Sequence, residues 1–177
     1  MTNWQEVSPD VFYTDDPLVQ VSDADLQWLQ DKARVSPRGR ARLCTHPDAD
    51  ASVHEMLICL ARTSYVQPHR HQRSESAHII RGAGDLVLFD EQGGVTEVLA
   101  LSDCAGGKTF FVRLAEPVYH TYLLKTEFLI FHETTPGPLD RGLTEFAPWA
   151  PAEGQSAAAF MERVRWATAG VGTGPTR

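Results

Sequence analysis

Lysine is nearly missing from this chain: Lys32, Lys108 and Lys125 stand against thirteen arginines, and acidic residues still outnumber both, leaving a net charge of −7. An acidic surface argues against general binding to nucleic acid or anionic membrane, since both need a basic face. Cysteine is scarce as well. Cys44, Cys59 and Cys104 are odd in number and form no CxxC pair, so neither a disulfide framework nor a thiolate zinc site is suggested. No apolar run approaches the roughly eighteen residues of a membrane span. The first thirty residues have neither the basic start nor the apolar centre of a secretory signal, and a cytoplasmic address is the expectation.

What is present suits a single core: 42% of the 177 residues are apolar, and no internal repeat interrupts them. The arginine excess suits bidentate recognition of carboxylate or phosphate, although codon usage in a GC-rich genome gives the same bias. "SDADLQWLQDKARVSP" predicts a helix, with Ser22 and Asp25 as a capping box, Leu26, Leu29 and Ala33 on one face, and Pro37 ending it. A second helix is expected at "GQSAAAFMERVRW", with Ala157, Phe160 and Val164 on one stripe. "AGVGTGPTR" reads as a flexible tail. Between the helices lie eight candidate strands: "RARLCTH", "VHEMLICLART", "SAHIIRG", "DLVLFD", "VTEVLAL", "TFFVRLA", "VYHTYLL" and "EFLIFHE", with "DEQGG" as a hairpin turn. The predicted class is therefore all-β with short helices, an antiparallel sandwich or barrel whose mouth can hold a ligand. The division expected is 1–35 as an N-terminal extension with its helix, 36–151 as the central domain, and 152–177 as helix and tail.

"QPHRHQRSESAHIIRG" carries three of the seven histidines. On a strand, His69 and His71 point to one face and can hold one ion together. Glu75 would lie about 13 Å beyond His71 on a straight strand, so the chain must bend at Gln72, Arg73 and Ser74 for the carboxylate to join them. His120, on a strand distant in sequence, is the candidate fourth ligand. Three imidazoles and a carboxylate suit Fe, Mn, Zn, Ni or Cu as divalent ions. The alternative is a group of surface histidines hydrogen-bonded to carboxylates. His78 has the opposite parity from Glu75 and is expected on the outer face.

Weaker signals surround this run. Arg38, Arg40 and Arg42 cluster ahead of Cys44 and, with Arg81, are candidate binders of an anionic substrate; a solvated edge strand blunted by charge is the favoured alternative for the cluster. His132, Glu133 and Tyr122 are candidate catalytic groups, His132 having the parity of Phe128 and Ile130. His54, beside Glu55, has no assigned role.

The HxHxxxE run followed after six residues by glycine resembles the first motif of the cupins, matched by His69, His71, Glu75 and Gly82. Thr63 stands where the longer form of that motif begins with glycine. Of the second motif, PxGxxH followed by Asn, only His120 is kept, with Ala115, Pro117 and Leu124 at the other places. Over residues 36 to 151, "SPRGRARLCTHPDAD", "VHEMLICLARTSYVQPHRHQRSES", "HETTPGP" and "EFAPWAP" resemble the WbuC-type cupin-fold metalloproteins, bacterial proteins associated with O-antigen and other surface-polysaccharide gene clusters. The resemblance implies a jelly-roll fold, one divalent metal and a polysaccharide setting, but no particular reaction. The expected function is metal-dependent action on a small polar or anionic metabolite such as a sugar or nucleotide-sugar, by an isomerase, epimerase or Fe(II) dioxygenase. Its rival is a non-catalytic binding or sensing module. The expected partners are a small-molecule ligand and a second copy of the chain, the apolar strand "VHEMLICLA" needing a cover.

Overall fold

The computed structural model describes residues 2–170; the part of the expected tail at 171–177 lies outside them. The chain opens with β1 (Gln5–Ser8) and β2 (Val11–Tyr13), followed by α1 (Asp23–Val35), β3 (Arg40–Cys44) and β4 (Val53–Ala61). Next come β5 (His69–His71), β6 (Glu75–Arg81), β7 (Ala83–Phe89), β8 (Val95–Ser102), β9 (Phe111–Leu114), β10 (Tyr119–Leu124) and β11 (Phe128–Pro136). β12 (Thr144–Phe146) and α2 (Ala158–Gly170) complete it.

The strands form two sheets, ordered β1-β2-β3-β4-β11-β6-β9 and β12-β5-β10-β7-β8. From β4 to β11 the pairing is nested: β7 with β8, β6 with β9, β5 with β10 and β4 with β11. A long hairpin folded over in this way is an eight-stranded jelly roll, so the all-β class and its sandwich architecture are established by the strand order itself. β2 departs from the antiparallel scheme by joining β3 in parallel.

Gly82 makes the tightest of the crossings between sheets. It sits at φ +93°, and a Cβ there would collide with the Phe128 carbonyl oxygen. Only glycine lets β6 end at Arg81 and β7 begin at Ala83 in the other sheet.

Each helix covers the outer face of one sheet. Leu26, Leu29 and Ala33 of α1 bury against Leu43, Leu57, Cys59 and Ile130. The start of α1 is held as the capping pattern predicts, Ser22 donating its backbone N–H and its hydroxyl to the Asp25 carboxylate at 2.7 and 2.6 Å. α2 begins four residues later than "GQSAAAF" suggests, and Phe160, Met161 and Val164 pack against Val87, Phe89 and Tyr119. Between the sheets lies a third cluster around Leu60, Ile79, Leu86, Tyr122, Leu129 and Phe131. The apolar face of "VHEMLICLA" is thus covered by α1 of its own chain, which removes the ground on which a homodimer was expected. Among the described residues no helix is long and apolar enough to cross a membrane.

Candidate metal and ligand site

β5 lies between β10 and β12, and His120 of β10 is the direct cross-strand partner of His69. The chain then bends at Gln72–Ser74 and enters the other sheet as β6, whose first residue, Glu75, faces back across the sandwich. The His69 ring centre lies 4.9 Å from that of His71 and 4.6 Å from that of His120. The Glu75 carboxylate bridges the other two rings, with His120 Nε2 at 3.3 Å and His71 Nε2 at 3.5 Å. The structure therefore brings the four candidate ligands together, although among the described residues no group of three or more His, Cys, Asp or Glu converges as a formed metal cluster.

The donor chemistry fits a divalent ion. Each ring has its Nδ1 engaged on the outside: His69 with the Gln67 carbonyl at 2.8 Å, His120 with the Val118 carbonyl at 3.0 Å, and His71 with the Thr144 hydroxyl at 3.0 Å. The carbonyls make Nδ1 the protonated nitrogen of His69 and His120 and leave Nε2 for a metal, while the Thr144 hydroxyl, able to donate or accept, orients the His71 ring. Burial keeps the rings uncharged, pushing His71 down to about 4 and His120 down to about 3, with His69 adding to both, and it lowers His69 too. The Glu75 and Glu133 carboxyls shift the other way, above the usual carboxylate range, first because both are buried. Neutral imidazoles beside a carboxyl that ionises with difficulty are groups that gain from a cation.

A cavity of about 390 Å³ opens over the cluster. Its walls include Arg38, Arg40 and Arg42 from the entry to β3, Tyr122 from β10 and Glu133 from β11, together with Arg141 and Glu153. Arg40 and Arg42 face inward because Ala41 and Leu43 turn the other way, under α1. Two of the arginines are already occupied. Arg40 is paired with Glu153, and Arg38 reaches Asp10 at 4.0 Å and the Pro9 carbonyl at 3.3 Å. Arg42 is different: its Nε is buried with no hydrogen-bond partner among the described residues. Tyr122 stacks on Phe131 at 5.1 Å and lies beside His120, its hydroxyl pKa raised by burial and by Glu133 and Glu75.

Two sequence candidates lie elsewhere. Arg81 shares the nominal parity of Glu75, but the register slips between its partner Ile130 and Phe131, and the side chain turns out to pair with Asp23 of α1. His132 belongs to the face of Phe128 and Ile130, outside the sandwich, where its Nε2 lies 3.9 Å from Glu55. Glu133, one residue on, follows Leu129 and Phe131 into the interior. His78 is exposed on the outer face, near Phe110, as its parity predicts. Arg141, Thr144 and Glu153 escape the sequence reading, because they arrive on the short turns and strap after β11, where no alternation marks an inward residue.

The family described as "Domain of unknown function (DUF6016)" matches residues 21–101. No curated protein matches the chain. Among solved structures it is similar to a cupin 2 conserved barrel domain protein from Rhodopseudomonas palustris, at 14% identity and TM-score 0.49, over 73% of this chain and 77% of that one. Protein SO0799 from Shewanella oneidensis matches at 13% identity and TM-score 0.47, over 58% and 66% of the two chains. Oxalate decarboxylase from Bacillus subtilis matches at 17% identity and TM-score 0.42, this chain spanning only 24% of its length and 54% of its own.

Proposed function

We propose that this protein is a cupin-type metalloprotein that binds one divalent transition metal through His69, His71, Glu75 and His120 and acts on a small anionic, sugar-sized metabolite in the cavity above them. The observation that supports it is the joining of two features in one space: three imidazoles with Nδ1 fixed from outside around a carboxylate, and a guanidinium with an unsatisfied buried donor facing the same cavity. A bound ion would supply Lewis-acid polarisation of a ligand oxygen. Arg42, with Arg141 on the same wall, receives the anionic group, for which a guanidinium fork is suited. Glu133, its pKa raised by burial, is placed to exchange a proton with a ligand near neutral pH. A cavity of about 390 Å³ falls at the small end of ligand sites, which favours a sugar acid or sugar phosphate over a whole nucleotide-sugar. The polysaccharide setting implied by the sequence resemblance agrees with such a ligand, as does a cytoplasmic location.

The test is purification without chelators, elemental analysis, and thermal melts of the metal-loaded protein with sugar phosphates, sugar acids and neutral sugars. About one metal per chain is expected, with larger shifts from the anionic sugars, because a ligand that binds only the native state stabilises it by mass action. Failure to retain or take up any divalent metal would overturn the reading.

A further inference from the structure

A second chamber of about 180 Å³ adjoins the first behind Arg42, His71, Glu133 and Thr144, which line both. Its remaining wall includes His46, His54, Tyr13 and Thr135. His46 is the informative residue. Only 5% of it is exposed, and it is stacked face to face on His54 with ring centres 4.1 Å apart. His46 Nδ1 lies against the Glu55 backbone, 3.1 Å from its N–H and 3.0 Å from its carbonyl oxygen, so it can accept from the one or donate to the other, and Nε2 takes the opposite role. Burial lowers the His46 pKa, with His54 and Arg42 adding to the effect, which keeps the ring neutral. His46 Nε2 is therefore a buried ring nitrogen, donor or acceptor, that has no hydrogen-bond partner among the described residues. Arg42 Nε is in the same condition. A buried polar nitrogen left open on such a chamber is met by a small polar group that reaches it there, a water or the hydroxyl of a bound molecule.

The charges of the chamber say which kind of oxygen. Glu75, Glu133 and Asp140 line it against Arg42 and Arg73, and Arg73 already donates to the Pro136 and Pro138 carbonyls at 3.2 and 3.0 Å. An additional anion would face three carboxyl groups. An uncharged hydroxyl would not: it can accept from His46 or donate to it, whichever tautomer the ring holds, and bond Glu133 or Thr135 as well. We infer that this chamber is a hydroxyl-binding subsite, with His46 as its contact, that takes the polyol portion of a ligand whose anionic end meets Arg42 in the larger cavity. The inference rests on the proposed function for the anionic end and narrows the substrate class to polyhydroxy acids or their phosphate counterparts.

Erythritol is a suitable probe, followed through the imidazole nitrogen and proton resonances of the nitrogen-15-labelled full-length protein. Saturable movement of the His46 Nε2 signal is expected, with acetate at equal concentration leaving it in place. His46→Leu should weaken erythritol binding about tenfold, the worth of one hydrogen bond of about 1.4 kcal/mol. Thr135→Val leaves the contact between His46 and Glu55 intact and should weaken it several-fold, which covers the case of a misfolded His46→Leu protein. Polyols also stabilise proteins by exclusion from the surface, so a melting shift equal in parent and variant counts against the subsite. A His46 signal that ignores erythritol, or that moves with acetate alone, overturns the inference. Elemental analysis of the same samples reports separately on the histidine cluster. A metal-loaded protein with a silent His46 sinks only the subsite, and a polyol-binding protein that takes up no metal sinks only the metal reading.

Discussion

His120 stands directly across from His69 on neighbouring strands, and its Nε2 reaches the Glu75 carboxylate from the opposite sheet at 3.3 Å. One buried ring thus joins both sheets at the cluster. Alanine at His69, His71, Glu75 or His120 should each abolish most metal uptake, because the site has no ligand to spare. Thr144→Val, which removes only the hydroxyl on His71 Nδ1, should weaken metal affinity about 10–100-fold. His78→Ala should retain the metal. Elemental analysis after dialysis against a competing chelator checks all six variants. Loss of metal in His78→Ala with retention in His120→Ala would require a different ligand set.

The buried groups also predict how the metal-free protein responds to pH. His46, His69, His71 and His120 have lowered pKa values, so below the ordinary value of 6.5 the unfolded chain takes up protons that the folded rings refuse, and stability falls on the acid side. Glu75 and Glu133 have raised values, so above the ordinary 4.5 the unfolded chain has lost protons that the folded carboxyls still hold, and stability falls as pH rises until the folded values are passed. Between 4.5 and 6.5 both act and the four rings outweigh the two carboxyls; above 6.5 only the carboxyls remain. Melting temperature should therefore peak near pH 6.5. With a divalent metal bound, Glu75 is held ionised and the alkaline decline should shrink. A flat profile from pH 5 to 8 in the metal-free protein would contradict this account.

The jelly roll was legible because most of its strands are long enough to show alternation, and all eight expected strands form. β1, β2, β5 and β12 have only three or four residues each, too few for a pattern to stand out. β11 shows a different difficulty. Phe128 and Ile130 bury under α1 while Leu129 and Phe131 bury between the sheets, so both faces are apolar and the sequence cannot say whether His132 or Glu133 turns inward. The two histidines of β5 could be assigned to one face from their spacing alone. Arg81 could not be placed the same way, since a single slip in register is invisible to a count of alternate residues. The pairing of Arg40 with Glu153 depends on the strap between β12 and α2, and Glu153 lies more than a hundred residues from its partner.

Gly82→Ala tests the crossing between sheets. Alanine would be strained at φ +93° and would also press on the Phe128 carbonyl. A loss of about 1–3 kcal/mol is expected for the backbone strain, with the contact adding to it. Urea unfolding measures it. A variant as stable as the parent would mean that the β6–β7 connection can relax.

The arginines of the cavity should not behave alike. Arg40 carries Glu153 as its partner, and burial lowers its pKa while Glu153 opposes that shift, so an incoming anion must displace a carboxylate to use it. Arg42 has a buried Nε–H without an acceptor among the described residues, so an anion gains that bond with no protein group to displace. Arg42→Ala should therefore cost the binding of a sugar phosphate roughly 1.5 to 3 kcal/mol, the worth of a charge-assisted hydrogen bond. Arg40→Ala should cost less. Glu153→Gln supplies the discriminating result: it removes the competing charge while keeping the side-chain shape, and it should strengthen phosphate-sugar binding while leaving a neutral sugar unchanged. Titration calorimetry on the metal-loaded proteins measures all three. If Glu153→Gln weakens the anion instead, the carboxylate is a ligand contact in its own right, and Arg40 is its anchor rather than a second anion site.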